Sequence, residues 1–342
     1  MKTDAPCAVN PDRKFWLGLN PYGLAYTVGL QAIGTGRANP SSIGLAGFIA
    51  LVRRAGLECI ELDHRWLTPM SDDQLDELRS RLDGLIRICS FWLTQQPGED
   101  LSNAIRCTKG VGASIIRFHL TPVLEGARAA WGARWNEMVN HAWDTLRRES
   151  RKVADAGLVL ALEDHQDFCS EELLQFADEL GEHVGIVLDT GNPFAVGEDP
   201  VAFTRRAAHR IRHVHLKDYI AQFTDEGYRL VRCAIGDGCV PFAEMLDLLQ
   251  RTGRPLAASV EPGALEARHI RIYSEAWWEG YPPRDARELA AMLGRLHRGR
   301  LRSDADYRTP WELHASAEAV MAYEKAQIDR SIETMRALMR AY

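Results

Sequence analysis

Short apolar segments alternate with longer amphipathic segments along most of the chain. The apolar segments are rich in β-branched residues and stop at turn residues, which is typical of parallel strands buried beneath helices. The predicted strands span residues 15–20, 59–63, 86–92, 115–119, 158–163, 186–189, 211–215 and 256–261. The predicted helices span residues 42–55, 71–82, 101–111, 135–156, 170–180, 201–209 and 242–252.

Eight strands alternating with helices over about 250 residues predict an α/β fold, a (β/α)8 TIM barrel with a C-terminal helical extension. An open doubly wound sheet is the alternative, but such sheets usually have fewer strands and bind ligands at one switch point. No GxGxxG motif follows the first strand, so a dinucleotide-binding fold has little support. We expect the barrel at residues 15–263 and the extension at residues 264–342.

Three segments exceed a minimal barrel. Residues 21–41 form a long first loop rich in Gly, Tyr, Asn and Pro, which suits a lid or pocket wall. Residues 219–238 contain the run YRLVR and predict a small β excursion. The extension predicts a helix near residues 285–297 and a long helix from about residue 310 to residue 340, packed on the barrel or on another subunit.

Four predicted strands end on a residue type that binds metal ions: Glu163, Asp189, His215 and Glu261. The first three are equally spaced, one strand–helix unit apart, so they belong to neighbouring strands and lie at the C-terminal rim of the barrel. Converging carboxylates repel one another unless a cation neutralises them, and these donors suit one divalent ion. Separate capping or salt-bridging groups are the alternative, which explains one such residue more easily than four.

Composition and charge limit the functional classes. Hydrophobic residues make up 46% and charged residues 26% of the 342-residue chain, as in ordinary globular proteins. The net charge of −6 argues against a nucleic-acid surface. No apolar stretch approaches the roughly 20 residues that cross a bilayer, and the N-terminal residues lack the apolar core of a secretory signal.

Cysteine usage indicates the redox compartment. The seven cysteines are odd in number and form no CxxC motif, and Cys59 and Cys89 lie within apolar strands. This usage predicts free thiols, including Cys7, in a reducing compartment. We therefore expect a cytoplasmic location.

The motifs ALEDH, VLDTGN, HVHLKD, IGDG and SVEPG, in this order, resemble those of the xylose isomerase-like TIM barrels. The resemblance covers about residues 15–263 and is strongest from residue 158. This superfamily contains ketose 3-epimerases, hydroxypyruvate isomerase, inosose dehydratase and endonuclease IV. The resemblance implies that Glu163, Asp189, His215 and Glu261 ligate one divalent metal ion, with Mn²⁺ expected first and Co²⁺ or Mg²⁺ as alternatives.

The resemblance to the epimerases also implies a mechanism. Glu163 and Glu261 would stand on opposite sides of the substrate, one removing the proton α to a carbonyl and the other returning it to the enediolate. Asn192 replaces the His that commonly follows DTG in the sugar epimerases, and the arginine expected after the metal-binding His is absent. Asn192 can still bond a substrate hydroxyl, but its presence makes the three-zinc chemistry of endonuclease IV unlikely.

Two further histidines are candidates for the site. His165 lies two residues beyond Glu163 and is predicted to act as a general base or a substrate hydrogen-bond donor. A loop histidine without a chemical role is the alternative. His119 ends the fourth strand and is predicted to line the substrate pocket.

Other polar residues at strand ends leave two interpretations open. Lys217 either contacts substrate or forms a structural pair with Asp218. Glu61 either touches a polyol or caps a loop, and His213 is expected in a lower layer of the barrel rather than among the metal ligands.

The function predicted first is a divalent-metal-dependent sugar isomerase or epimerase. The nearest alternative uses the same site for elimination from an oxo-sugar or 3-oxo-glycoside, as in the superfamily's dehydratases and C-glycoside-cleaving enzymes. A non-catalytic sugar-binding subunit is the third. The expected partners are a small sugar or glycoside and further copies of the chain, with a possible second subunit and no nucleic acid or membrane.

Overall fold

The computed structural model describes residues 14–302 and 304–342, and it contains a closed barrel of parallel strands. In chain order the strands are β1 (Phe15–Leu19), β2 (Cys59–Asp63), β3 (Ile86–Trp92), β4 (Ile115–His119), β5 (Val159–Glu163), β6 (Val184–Asp189), β7 (Ile211–Leu216), β8 (Tyr219–Thr224), β9 (Gly227–Arg232), β10 (Leu256–Val260) and β11 (Arg268–Ile270). The barrel order is β1, β10, β7, β6, β5, β4, β3 and β2, and β2 pairs with β1 again. The predicted (β/α)8 TIM barrel is confirmed.

Helices follow most of the barrel strands. They are α1 (Gly44–Arg54), α2 (His64–Leu67), α3 (Asp72–Arg81), α4 (Ser102–Gly110), α5 (Ala133–Asp155), α6 (Ser170–Leu180), α7 (Pro200–Ala207), α8 (Phe242–Gln250), α9 (Ala286–Arg298) and α10 (Ala317–Met339). Local signals set several starts: Ser71 and Gln74 form a capping box at α3, and Asp199 caps α7. The predicted barrel strands and their connecting helices lie within two residues of the observed bounds.

Strand β6 starts earlier than the pattern predicts, at Val184 rather than at residue 186. Gly185 interrupts the apolar run, and glycine usually weakens a strand. Here it permits a close approach, since a Cβ at this position would lie 2.3 Å from Cγ of Arg212.

The predicted β excursion after the seventh barrel strand is a hairpin of β8 and β9. Strand β11, from the segment after the barrel, pairs antiparallel with β9 and completes a three-stranded sheet. This sheet brings residues of the C-terminal segment beside the carboxyl ends of the barrel strands, where Tyr219 and Arg268 line a cavity.

The final helix begins later than predicted, at Ala317 rather than near residue 310. His314 has a φ of 53°, which an α-helix does not accommodate, and the Ser316 side chain caps the first turn. Helix α10 contacts β1 and β10, and its buried residues Ile328 and Ile332 join the apolar cluster of the barrel. The division of the chain at residue 263 stays a prediction.

Helix α10 also holds the first loop. Glu324 is fully buried and accepts hydrogen bonds from the backbone N–H groups of Tyr26 and Thr27, at 3.1 and 2.8 Å, and from the Thr27 hydroxyl at 2.6 Å. The same loop contributes Pro21 and Tyr22 to the cavity lining. The last helix therefore positions part of the pocket wall.

Replacing Glu324 by Ala should lower the free energy of unfolding by about 2–4 kcal/mol, because two buried backbone N–H groups lose their acceptor. Urea unfolding of the variant and of Glu333→Ala, an exposed position on the same helix, gives the comparison. Equal midpoints for the two variants would show that the buried carboxylate does not stabilise the loop.

Two further observations concern the class of protein. No helix within residues 14–302 and 304–342 is both long and apolar enough to cross a lipid bilayer. The described cysteines, Cys59, Cys89, Cys107, Cys169, Cys233 and Cys239, are free thiols. Cys7 and the rest of the N-terminal segment lie outside the described residues.

Candidate active site

The four predicted metal ligands come together at the C-terminal rim of the barrel. Glu163 and Asp189 are the last residues of β5 and β6. His215 is the next-to-last residue of β7, and Glu261 directly follows β10. All four side chains are buried, and one donor atom from each lies within 4.8 Å of the others. Because these strands are consecutive in the barrel, the four side chains reach one point.

His215 is oriented by carboxylates on both sides of its ring. Its Nδ1 lies 3.1 Å from Oε1 of Glu163 and 3.0 Å from Oε2 of Glu261. Its Nε2 lies 2.9 Å from Oε2 of Glu61. Burial alone would lower the pKa of His215, but Glu261, Glu61 and Glu163 outweigh burial and raise the pKa well above its usual value.

Glu61 is a site residue whose role the sequence did not predict. It is fully buried inside the barrel, where it meets His215 and also Nε2 of His213 at 3.2 Å. The Ser90 hydroxyl donates to Glu61 as well. Burial opposes its ionisation, but His215 and His213 prevail and hold the pKa of Glu61 well below its usual range. The carboxylate therefore holds the rings of His215 and His213 inside the barrel rather than touching a polyol or capping a loop.

Two other groups of donor atoms overlap the four-residue group. Glu61, His213 and His215 form one, and His119, Glu163 and His165 form the other. The first is enclosed in the barrel interior, so an ion there would have no open position for a substrate. The four-residue group supplies three carboxylates and borders a cavity through Glu261, which makes it the strongest candidate for a catalytic ion.

Lys217 lies in the site, but its ammonium group is already paired. Its Nζ contacts Oδ2 of Asp189 and lies 3.0 Å from Oε1 of Glu261. Burial would lower the pKa of Lys217, yet these carboxylates raise it well above its usual value. The alternative pairing with Asp218 is not formed. Asp218 instead accepts hydrogen bonds from the backbone N–H groups of Tyr219 and of three residues after β9, Gly236, Gly238 and Val240.

Asn192, predicted to contact substrate, lies beside Asp189, one of the predicted metal ligands. Its Nδ2 donates to Oδ2 of Asp189 at 2.9 Å, and it is not among the residues that line the described cavity. Burial raises the pKa of Asp189 to about 7, while Lys217 opposes this shift. Asn192 therefore helps to fix the Asp189 carboxylate.

His165 and His119 both line the cavity. Their rings stack with centroids 4.7 Å apart, and His119 in turn stacks on Trp92 at 5.5 Å. Burial lowers the pKa of His165 to about 4, so its imidazole is neutral near pH 7. A neutral imidazole can accept a proton or donate its N–H to a substrate oxygen.

Arg117 is the second site residue that the sequence interpretation missed. It precedes His119 by two positions on β4, and its guanidinium pairs with Oε2 of Glu163. Its Nη1 lies 3.4 Å from Nδ1 of His119. Arg117 therefore stands between the metal-ligand group and the cavity.

The cavity beside these residues has a volume of about 190 Å³. Its lining includes Trp92, Arg117, His119, His165, Lys217 and Glu261. Glu163, Asp189 and His215 are not in this lining. A molecule in the cavity would therefore contact Glu261 directly, whereas Arg117 separates it from Glu163. A larger groove of about 750 Å³ shares Trp92 and His119 with the cavity and adds Trp131 and Met138.

The donor set fits a divalent ion. Three carboxylates and one imidazole are ligands that Mn²⁺, Mg²⁺, Co²⁺ and Zn²⁺ accept in proteins. In the part of the chain that the structure describes, Oε2 of Glu261 is buried and forms no hydrogen bond, although it lies 3.0 Å from Nδ1 of His215. A cation would satisfy this atom and offset the repulsion among the three carboxylates.

Comparison with known proteins identifies the family to which the barrel belongs. The family described as xylose isomerase-like TIM barrel matches residues 49–296. The chain is 31% identical over 129 residues to the rhizopine catabolism protein MocC of Rhizobium meliloti, and this match covers 32% of this chain and 40% of that protein. The chain is also 27% identical over 146 residues to inosose dehydratase of Clostridium beijerinckii, and this match covers 38% of this chain and 47% of that protein. The chain thus spans less than half of the length of these curated relatives.

Solved structures share the fold. A xylose isomerase-like TIM barrel protein from Mycobacterium smegmatis in complex with magnesium superposes with a TM-score of 0.55. The two sequences are 16% identical, and the match covers 84% of this chain and 100% of that chain. Structures of sugar 3-epimerases are similar at comparably low identity. At this identity the likeness establishes the fold alone.

Proposed function

The chain belongs to the xylose isomerase-like TIM barrel family, and we propose that it is a divalent-metal-dependent sugar isomerase or epimerase. The observation that carries the proposal is the convergence of Glu163, Asp189, His215 and Glu261 at the rim, beside a cavity. Inosose dehydratases among the partial relatives and epimerases among the similar folds support chemistry at a carbon next to a carbonyl.

The four residues would hold one divalent ion, and we propose Mn²⁺, with Co²⁺ or Mg²⁺ as alternatives. Magnesium in a structure of the same fold supports a divalent ion here. When bound, the ion supplies a Lewis acid that makes the proton α to a carbonyl easier to remove.

The side chains divide the proton transfer among them. Glu261 lines the cavity and would accept the α-proton or return it. Glu163 would serve the opposite side of the substrate, which requires Arg117 to move aside, because Arg117 separates Glu163 from the cavity. Arg117 pairs with Glu163 and favours its ionised, proton-accepting form. His165 and His119 would hold substrate hydroxyl groups, and His165 could exchange a proton with one of them.

A metal-dependent lyase is the second candidate. The groove that shares Trp92 and His119 with the cavity would accommodate a substrate larger than one sugar ring, with the leaving group stacked on aromatic side chains. The same α-proton would be removed, but the β-substituent would then leave with a proton, and a carbon–carbon double bond would form in place of reprotonation at the α-carbon. An oxo-sugar or a 3-oxo-glycoside would be the substrate.

Assembly and location remain proposals. We propose that the protein acts in the cytoplasm on a small sugar or glycoside and forms a homo-oligomer, with a possible second subunit that completes the site. The free thiols among the described cysteines support a reducing compartment.

The test combines metal analysis with proton exchange. We expect one tightly held divalent ion per chain, and exchange of the α-proton of D-fructose in D₂O by the Mn²⁺-loaded protein, followed by ¹H NMR. EDTA treatment should abolish the exchange and Mn²⁺ should restore it. Release of an aglycone from a 3-oxo-glycoside, without reprotonated product, would replace isomerisation with elimination. A protein that retains no divalent ion and exchanges no α-proton would be a sugar-binding subunit instead.

A further inference from the structure

Besides Oε2 of Glu261, four buried polar atoms around the cavity lack a hydrogen-bond partner within the described residues. They are the Tyr219 hydroxyl, Nε of Arg268, Nε of Arg117 and Nδ1 of His165. Buried polar groups without partners are costly, and native proteins keep few of them. Their concentration on the lining of one cavity indicates a ligand with several polar atoms.

Arg268 differs from the other cations of this lining. Arg65, Arg117 and Lys217 each pair with a carboxylate. Arg268 has no such ion pair with any described residue, although most of its side chain is removed from solvent. Arg268 belongs to β11, and the pairing of β11 with β9 sets Arg268 opposite Leu230. This pairing fixes the backbone from which the Arg268 side chain extends. A guanidinium that has no carboxylate partner and meets the Tyr22 hydroxyl suits a substrate anion.

Tyr219 is fixed beside it. The ring is 1% exposed and lies against two glycines, since a Cβ at Gly263 would lie 2.6 Å from Cε1 of Tyr219 and a Cβ at Gly191 would lie 2.8 Å from the ring. Burial raises the pKa of Tyr219, so its hydroxyl stays protonated and can donate a hydrogen bond. Arg268 and Tyr219 influence each other electrostatically and line the same cavity.

We propose that the substrate is an acidic sugar whose terminal oxyanion is bound by Arg268 and Tyr219. This inference rests on the proposed function, because the oxyanion would anchor a sugar whose reacting carbon faces Glu261. Guanidinium groups match the two oxygens of a carboxylate or phosphate. The cavity volume of about 190 Å³ lies below the roughly 300–1,000 Å³ typical of ligand sites, which favours the smaller carboxylate of a keto-uronate over a sugar phosphate.

The first experiment compares sugars that differ only at the terminal carbon. The Mn²⁺-loaded protein is given D-fructuronate, D-fructose or D-fructose 6-phosphate in D₂O, and α-proton exchange gives kcat/KM for each. We expect D-fructuronate to exceed D-fructose by roughly ten- to a hundredfold, as a charge-assisted hydrogen bond allows. A preference for the phosphate over both other sugars would identify phosphate as the oxyanion.

Variants connect this preference to Arg268. In Arg268→Gln the ratio of kcat/KM for D-fructuronate to that for D-fructose should fall about tenfold or more, and Arg268→Lys should retain part of it. Arg271→Gln, an exposed position three residues away, is the matched control and should keep the ratio. A ratio that does not change in Arg268→Gln would overturn the proposal.

Binding measurements separate this inference from the proposed function. Calorimetry with D-gluconate and its neutral counterpart D-glucitol needs no turnover. Tighter binding of D-gluconate that disappears in Arg268→Gln supports the oxyanion site even if no sugar exchanges a proton, which would contradict only the proposed function. Exchange of D-fructose and D-fructuronate at equal rates, with no preference for D-gluconate, would leave the proposed function standing and contradict the acidic substrate.

Discussion

Glu261→Gln should lower the rate of α-proton exchange by about two to four orders of magnitude, the usual contribution of a positioned general acid or base. Glutamine preserves the shape of the side chain but cannot accept the proton. Glu261 is the proposed ligand that lines the cavity, so a substrate meets its carboxylate directly. The measurement is exchange in D₂O at saturating Mn²⁺, expressed per metal-loaded chain.

Glu163→Gln should cause a loss of similar size from the other side of the substrate. In this variant Arg117 also loses its carboxylate partner, which leaves a buried guanidinium unpaired and lowers stability as well. Glu279→Gln, an exposed position in the C-terminal segment, is the control for charge removal. Exchange at the parent rate in both Glu261→Gln and Glu163→Gln would eliminate the two carboxylates as acid and base groups.

The strand ends were predictable because buried parallel strands form continuous apolar runs. In such a run a polar residue at the C-terminal end stands out, and the barrel places that end at the rim. Glu163 and Asp189 were identified for this reason, and the structure brings them together with the other two predicted ligands. The assignment of one metal ion to them remains a proposal.

Glu61 and Arg117 were missed although the alternation of side chains along a strand could have indicated them. Arg117 shares a face of β4 with His119, and Glu61 shares a face of β2 with Cys59. A charged residue on the inward face of a buried strand must have a partner inside the barrel. The prediction that Glu61 touches a polyol or caps a loop did not consider such a partner inside the barrel.

Arg268 could not be placed from the sequence, because its position depends on a long-range pairing. Nothing in the three residues of β11 identifies β9 as their partner. The predicted start of α10 was wrong for a local reason, since the positive φ of His314 and the cap at Ser316 delay the helix until Ala317. Neither long-range strand pairing nor irregular backbone can be predicted from the periodicity of apolar residues along the chain.

Glu61→Gln should weaken Mn²⁺ binding by about 10- to 100-fold, the effect typical of removing a group that orients a metal-binding histidine. The Glu61 carboxylate is an acceptor, so Nε2 of His215 carries the proton that bonds it. When a metal ion displaces the proton of Nδ1, the lone pair of this nitrogen would be free to bind the ion beside Glu163 and Glu261. Glutamine removes the negative charge and can turn its NH₂ group toward Nε2, which would favour the opposite tautomer.

Calorimetric titration of metal-free protein with Mn²⁺ measures the change without any turnover, and the visible spectrum of bound Co²⁺ gives a second reading. Ser90→Ala removes only a hydroxyl that donates to Glu61 and should weaken the metal by a smaller factor. Ser90→Ala also provides a test if Glu61→Gln fails to fold, because the buried carboxylate stays in place in the Ser90 variant. An unchanged Mn²⁺ affinity in a folded Glu61→Gln protein would mean that the barrel strand alone orients His215, and that Glu61 serves the packing of the interior rather than the metal site.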